Sequence, residues 1–435
     1  MKRKLFIFED PYYSHFLPLT YARPIYQLLS GTSTLQQKIE HFFPDREIIL
    51  LCRDYLESWI GSNTQNKVNS LEAGEDEHIL LVNGRVIFDQ NLKLDLSKQE
   101  DRLFLHKKEV VAISLKGSSF KKYKDAITQL YLMQNLDLIK HEIGSVQIKA
   151  VMANYLWDLV EMNGDQIRKD FKLIEGRLDF KKNRKASHTD PNVVLYNEKD
   201  IFIGEGSRID AFAVLDARNG PIYIDRNVNI LSHTRIEGPC YIGEESIIQG
   251  GMIREGSSFG PKCRIAGEVE KSVILGYSNK YHHGFLGHSY LGEWVNLGAL
   301  TTNSDLKNNY SPIKVLLGQK IVDTGLAKVG VFLSDHVKTG IGTLLNSGTV
   351  VGFSTNIFGG GMPREKYIPS FYWGGKEGWS KYQLEKAVRT AEITMGRRKV
   401  KADENLKELF RKIFELTYDE RKIQSFEVDK RTETL

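Results

Sequence analysis

The chain has 435 residues, 26% of them charged and 41% hydrophobic, with a formal net charge of +5. That length exceeds what one core usually serves, and the proportions exclude a disordered or collagen-like polypeptide in favour of a folded one with at least two domains. A charge this modest gives no argument for a nucleic-acid partner, and it suits anionic small molecules.

The cysteines Cys52, Cys240 and Cys263 are odd in number and far apart, so they offer neither a disulfide framework nor a CxxC metal site. The opening MKRKLFIF is basic and then apolar, but Glu9 and Asp10 end the apolar run before it reaches signal-peptide length. No stretch approaches the roughly 18 apolar residues of a membrane span. The expectation is a cytoplasmic protein with no membrane partner.

Residues 1–180 read as an α/β domain. Leu5–Asp10, Arg46–Cys52 and His78–Phe88 are predicted strands, while 124–140 and 151–173 have helical spacing, which predicts a mostly parallel sheet. Ligands of such sheets sit beyond the carboxyl ends of the strands, here Glu9–Gly31 and Asn83–Arg85. The polar segment 181–194, with Lys181–Pro191 reading KKNRKASHTDP, is a predicted linker.

From 195 to 375 the period changes to six. Ile224, Ile230, Ile236, Ile242 and Ile248 form one series; Phe285, Leu291 and Leu297 a second; and Leu333, Leu345, Val351 and Ile357 a third in which Thr339 replaces an aliphatic residue. Small or β-branched residues such as Val228, Thr234, Cys240 and Ser246 follow at corner positions. Hexads of this kind specify a left-handed parallel β-helix, in which stacked coils bury columns of guide side chains. An amphipathic helix would need apolar residues at i, i+3, i+4 and i+7 instead. Asp305–Lys320 breaks the period and should loop out, carrying Lys307, Tyr310 and Lys314 towards an anionic ligand. In 376–435, Leu406, Leu409, Phe410 and Ile413 share one helical face, expected to cap the coil, and Gly396–Lys401 (GRRKVK) reads as an exposed basic turn, with contact to the phosphates of an anionic cofactor as the alternative.

The stretch Ser278–Gly298 holds His282, His283 and His288. An amine that attacks a thioester must lose a proton, and imidazole titrates near working pH, so these histidines are candidate bases for acyl transfer. The segments GEVEKSV (Gly267–Val273), Gly276–Tyr310 and PLTYARPIYQLLSGTSTLQQKIE (Pro18–Glu40) resemble an alternative bacterial branch of the bifunctional family that joins an N-acetylglucosamine-1-phosphate uridyltransferase to a glucosamine-1-phosphate N-acetyltransferase. The resemblance implies His282 as general base, Asn296 on the sugar, Ala299 beside coenzyme A, and Arg254 with Lys271 on the sugar phosphate. Phe285 stands where the family has a tyrosine, and Asp305 where it has an asparagine, with Asn303 close by as a further substrate contact; Lys314 would reach the cofactor. The resemblance also implies acetyl-CoA as co-substrate and a homotrimer.

The N-terminal domain departs further from that family. The glycine-rich GxGTRM loop that wraps nucleotide phosphates is replaced by FEDPYYSHFLPLTYARP, and Asn83-Gly84-Arg85 stands where a metal-binding Gly-Asp is usual. Arg23, Lys38 and Arg85, with Asn83, are left to hold the phosphates of UTP or another nucleoside triphosphate, and Asp10 or Asp89 to help bind Mg2+. Three readings follow: a bifunctional enzyme making UDP-N-acetylglucosamine from sugar phosphates, an acyltransferase with a degenerate first domain, or a non-catalytic nucleotide-sugar sensor or scaffold.

Overall fold

Four strands begin the fold as a parallel array. In the computed structural model, which describes residues 3–96, 100–124, 136–176, 186–318 and 320–423, Lys67–Val68, Glu47–Leu51, Arg3–Phe8 and His78–Asn83 lie side by side and parallel. Glu109–Lys116 joins antiparallel, Arg102–His106 pairs antiparallel with it, and Gly144–Gln147 closes the edge. Leu80 and Val82 face one core and Ile79 and Leu81 the other, the alternation of a strand buried on both faces. Of the predicted helix 124–140, residues 125–135 lie outside the described residues, and its end is the helix Leu136–Glu142. The second predicted helix, Leu156–Glu175, runs against the solenoid.

The coil begins at His188–Thr189, earlier than the hexad pattern suggests, because that strand already pairs with Arg208–Ile209 of the next coil. Three columns of inward residues follow: Ile209, Ile230, Ile248 and Ile265 in one; Leu215, Ile236, Ile253 and Val269 in the second; Ile224, Ile242, Phe259 and Ile274 in the third. All are fully buried. At about 1.5–3 kcal/mol per buried aliphatic side chain, stacking these columns is the main drive for coil formation.

The predicted phase slips in two places. A bulge between Gln249 and Gly251 shifts the register of one strand. Leu286 rather than Phe285 stacks inward, on Val269, and Phe285 is left half-buried. Polar side chains enter the guide columns as well: Thr189 beside Ile209, Lys280 between Ile265 and Leu297, Asn303 beside Leu345, and Thr339 above Leu297. The coil is interrupted after Asn303 by an excursion carrying the hairpin Lys314–Leu317/Lys320–Asp323, and Phe332–Leu333 then resumes on Tyr290–Leu291.

The C-terminal helices lie along the flank of the coil, while Trp379, on the hairpin Tyr372–Gly375/Gly378–Lys381, packs against the coil's apolar core near its last strands. Phe410 of the helix Glu404–Leu416 packs edge-on against Phe353 and His336, with ring centroids 4.8 and 5.0 Å away. One continuous core cluster includes Leu28 and Trp157 of the first domain, Tyr290 and Phe332 of the coil, and Leu409 and Phe410 of these helices. Tyr290 Oη completes the seam by contacting both the Leu29 N–H, at 2.7 Å, and the Leu29 carbonyl, at 2.9 Å. Among the described residues no helix is long and apolar enough to cross a membrane.

Candidate active sites

Parallel stacking sets the residues preceding the guide positions in a row on the outer surface: Arg264, Asn279 and Asn296 occupy equivalent places on successive coils. They line a cavity of about 330 Å³ together with Tyr281, His282, Arg397 and Arg398. Asn279 Nδ2 donates to Asn296 Oδ1 at 3.1 Å, and Arg398 Nη2 donates to Asn279 Oδ1 at 2.6 Å. His282 is exposed at the corner beside this row. The corner is held from inside: Lys280 Nζ donates to the carbonyls of Ala266, at 2.9 Å, and His282, at 3.0 Å. Gly267 makes room for that ammonium, since a Cβ there would stand 2.9 Å from Nζ and its φ of +72° favours glycine. Burial lowers Lys280 to about 8.

The other histidines sit differently. His283 is exposed and outside the cavity lining, and its carbonyl accepts from Leu300 N–H. His288 is 5% exposed, and its Nδ1 lies 2.8 Å from Asp305 Oδ2. Burial raises the Asp305 carboxyl, but the His288 hydrogen bond and charge, helped by Lys328, outweigh it and hold the group below its ordinary value.

Several residues expected at the substrate have partners within the chain. Asp305 is taken by His288. Asn303, 3% exposed, accepts from Gly287 N–H at 2.9 Å and donates to Gly287 carbonyl at 3.1 Å, so its amide points into the coil rather than towards a ligand. Lys271 Nζ reaches Glu161 of the helix Leu156–Glu175 at 2.8 Å. Arg254 lies 2.9 Å from Glu268 and 3.3 Å from Glu270. Ala299 offers its carbonyl to Gly342 N–H at 2.8 Å, and Lys314 is exposed on the excursion hairpin, not among the cavity residues. The cavity residues that the hexad reading did not single out are Arg264, Asn279, Tyr281, Arg397 and Arg398. The last two belong to the GRRKVK turn, read as exposed, which the flanking helices carry to the cavity.

The expected nucleotide mouth in the first domain is filled by its own side chains. Arg85, fully buried, donates from Nε to both Asp10 oxygens at 2.8 Å, from Nη1 to Ala153 carbonyl at 2.9 Å and from Nη2 to Glu109 at 2.8 Å. Tyr12 stacks over its guanidinium at 4.5 Å, and Asn83 Nδ2 donates to Asp10 Oδ2 at 2.8 Å. Arg23 Nη2 leaves the domain altogether and pairs with Asp335 of the solenoid at 2.7 Å. Lys38 is buried against Asp170, and Asp89 is paired with Lys169 at 2.8 Å. Arg23, Lys38, Asn83 and Arg85 therefore do not converge on an open phosphate site: burying each charge required a partner, and the chain supplies one. For Mg2+ the fit is equally poor, since both Asp10 oxygens face Arg85, and among the described residues no group of three His, Cys, Asp or Glu side chains could hold a metal.

Comparison with known proteins agrees with this order of parts. The sequence profile of the sugar nucleotidyl transferase family matches residues 5–178. A bifunctional sugar-1-phosphate nucleotidylyltransferase/acetyltransferase from Sulfurisphaera tokodaii is 34% identical over 95 residues, 22% of this chain and 24% of that protein's length. The bifunctional protein GlmU of Methanocaldococcus jannaschii is 25% identical over 393 residues, covering 77% of this chain and 88% of that protein. Among solved structures, an Arabidopsis UDP-N-acetylglucosamine acyltransferase overlaps 57% of this chain and 96% of that one at 15% identity, but its TM-score of 0.21 carries no argument. With a sugar nucleotidyl transferase match in front of a parallel β-helix, the chain is similar in its order of parts to bifunctional nucleotidylyltransferase/acetyltransferases of the GlmU kind.

Proposed function

We propose that the protein is a bifunctional transferase whose solenoid N-acetylates glucosamine-1-phosphate from acetyl-CoA and whose first domain transfers a uridylyl group from UTP to the resulting N-acetylglucosamine-1-phosphate, giving UDP-N-acetylglucosamine. The observation that carries it is His282, exposed at a cavity lined by the Asn279–Asn296 pair, on a β-helix that follows a domain matching the sugar nucleotidyl transferases. In acetyl transfer the amine attacks the thioester carbonyl, a base takes the amine proton, and the thiolate of coenzyme A leaves. His282 is the base in this reading, because its ring meets the cavity and makes no hydrogen bond among the described residues, leaving a nitrogen for the incoming proton. Asn296 and Asn279 offer amide groups to sugar hydroxyls. A homotrimer with one such groove at each subunit contact belongs to the same proposal.

A second reading, acyl transfer alone, is favoured by one observation: Arg23, Asn83 and Arg85 are buried and engaged within the protein. A split assay separates the two. Free thiol released from acetyl-CoA with glucosamine-1-phosphate, together with pyrophosphate released from UTP and N-acetylglucosamine-1-phosphate with Mg2+, supports the bifunctional enzyme. Thiol without pyrophosphate supports the second reading, and neither product rejects both.

A further inference from the structure

The cavity at His282 gathers positive charge, and no carboxylate is among its lining residues. Arg264 comes from the coil, while Arg397 and Arg398 come from the turn after the helix Leu384–Gly396. Arg264 Nη1 donates to the carbonyls of Glu245, at 2.8 Å, and Cys263, at 3.0 Å, and Arg398 donates to the Asn279 amide. None of these acceptors is charged, and among the described residues no carboxylate forms an ion pair with any of the three arginines. The contrast with Arg254, held by Glu268 and Glu270, and Lys271, held by Glu161, is sharp. Burial, and after it the charges of Arg264 and Arg397, hold Arg398 below its ordinary value, as expected where like charges crowd without a counter-ion.

We propose that Arg264, Arg397 and Arg398 form a phosphate clamp beside His282, doing for a substrate phosphate what Arg254 and Lys271 are too committed to do. Guanidinium forks suit phosphate oxygens, and three of them balance a phosphomonoester or a diphosphate. The clamp rests on the reading of this cavity as the acyl-transfer site. The phosphate has two sources in that reaction, the amino-sugar phosphate and coenzyme A, and they share this chemistry.

The test is titration calorimetry on the full-length protein with glucosamine-1-phosphate, glucosamine, coenzyme A and pantetheine. The variants are Arg264→Gln, the double variant Arg397→Gln/Arg398→Gln, and Lys401→Gln as a control that removes a charge from the same turn. The clamp predicts about tenfold or greater weakening of at least one phosphate-bearing ligand in both arginine variants, with its phosphate-free counterpart and the control unchanged. Loss confined to glucosamine-1-phosphate assigns the clamp to the sugar, and loss confined to coenzyme A assigns it to the acyl donor. Should the double variant fail to fold for want of the Arg398–Asn279 contact, Arg264→Gln and a salt titration of the unaltered protein decide, since phosphate affinity must fall as ionic strength rises. Affinities within about twofold of the unaltered protein for both phosphate ligands, or no binding of either to it, overturn the clamp. Acetyl transfer with unchanged KM in every variant removes the clamp and leaves the proposed activity, whereas phosphate binding that depends on these arginines in a protein without acetyl transfer keeps the clamp and removes the activity.

Discussion

Arg23, near the start of the chain, and Asp335, far along the solenoid, form a buried ion pair at 2.7 Å, with Glu293 beside it at 3.4 Å. Removing one partner strands the other in an interior that cannot solvate it, at a cost of about 3–5 kcal/mol. Arg23→Ala and Asp335→Ala should each lower the denaturant midpoint, and the double variant should lose less than the sum of the two. A nucleotide-binding role for Arg23 would instead appear as weaker UTP binding at unchanged stability.

His282 and His288 are separable by stability. Because His282 is exposed and its ring unbonded, His282→Ala should cut acetyl transfer by about 10²–10⁴-fold and leave the thermal midpoint in place. His288→Ala leaves the Asp305 carboxylate buried without its partner, and should destabilise the fold by about 3 kcal/mol. If His288→Ala kept its midpoint and lost turnover, the base would be His288.

Asn303 stands in a guide column and serves the backbone of Gly287 with both ends of its amide. Asn303→Ala leaves the buried Gly287 N–H without an acceptor, costing about 1–3 kcal/mol, while the Gly287 carbonyl keeps Ser289 Oγ at 2.7 Å. The expected outcome is a lower melting temperature with the KM for glucosamine-1-phosphate unaltered. A raised KM at constant stability would restore the substrate contact that the family resemblance implies.

Lys280 makes stability depend on pH in a definite direction. Its value in the folded protein, about 8, lies below that of the unfolded chain, so between about pH 8 and 10.4 the unfolded state binds more protons and stability rises with pH. Below pH 8 the folded state bears the full cost of a buried ammonium, of the order of 3 kcal/mol before its hydrogen bonds are counted. Lys280→Met should make this rise shallower, the remainder coming from Lys338, which burial also lowers to about 8, and be no less stable at pH 7, yet turn over more slowly because the His282 carbonyl loses its donor. Denaturation curves across that range and kcat at pH 7 check both parts.

The solenoid was legible because a six-residue period names the inward positions whatever fills them. It did not announce Lys280 or Asn303 as occupants, since period marks a position and not the polarity of its side chain. The partners of Arg85 and Arg23 were hidden for a related reason. An arginine after a strand suggests a phosphate only while its partners are unknown, and Asp10, Glu109 and Asp335 lie far from them in sequence. The same distance hid the place of Arg397 and Arg398 beside His282, which depends on where two helices travel after the coil has ended.

Tyr290, Trp157 and Phe410, drawn from three stretches of chain, share one interior. Severing the gene near residue 185 would therefore not yield two independent enzymes: each product would carry half of a torn interior to the surface and stick to others of its kind. Whatever chemistry the first domain performs, it is inherited, expressed and lost together with the acyltransferase-like half, so damage to either is felt as damage to both.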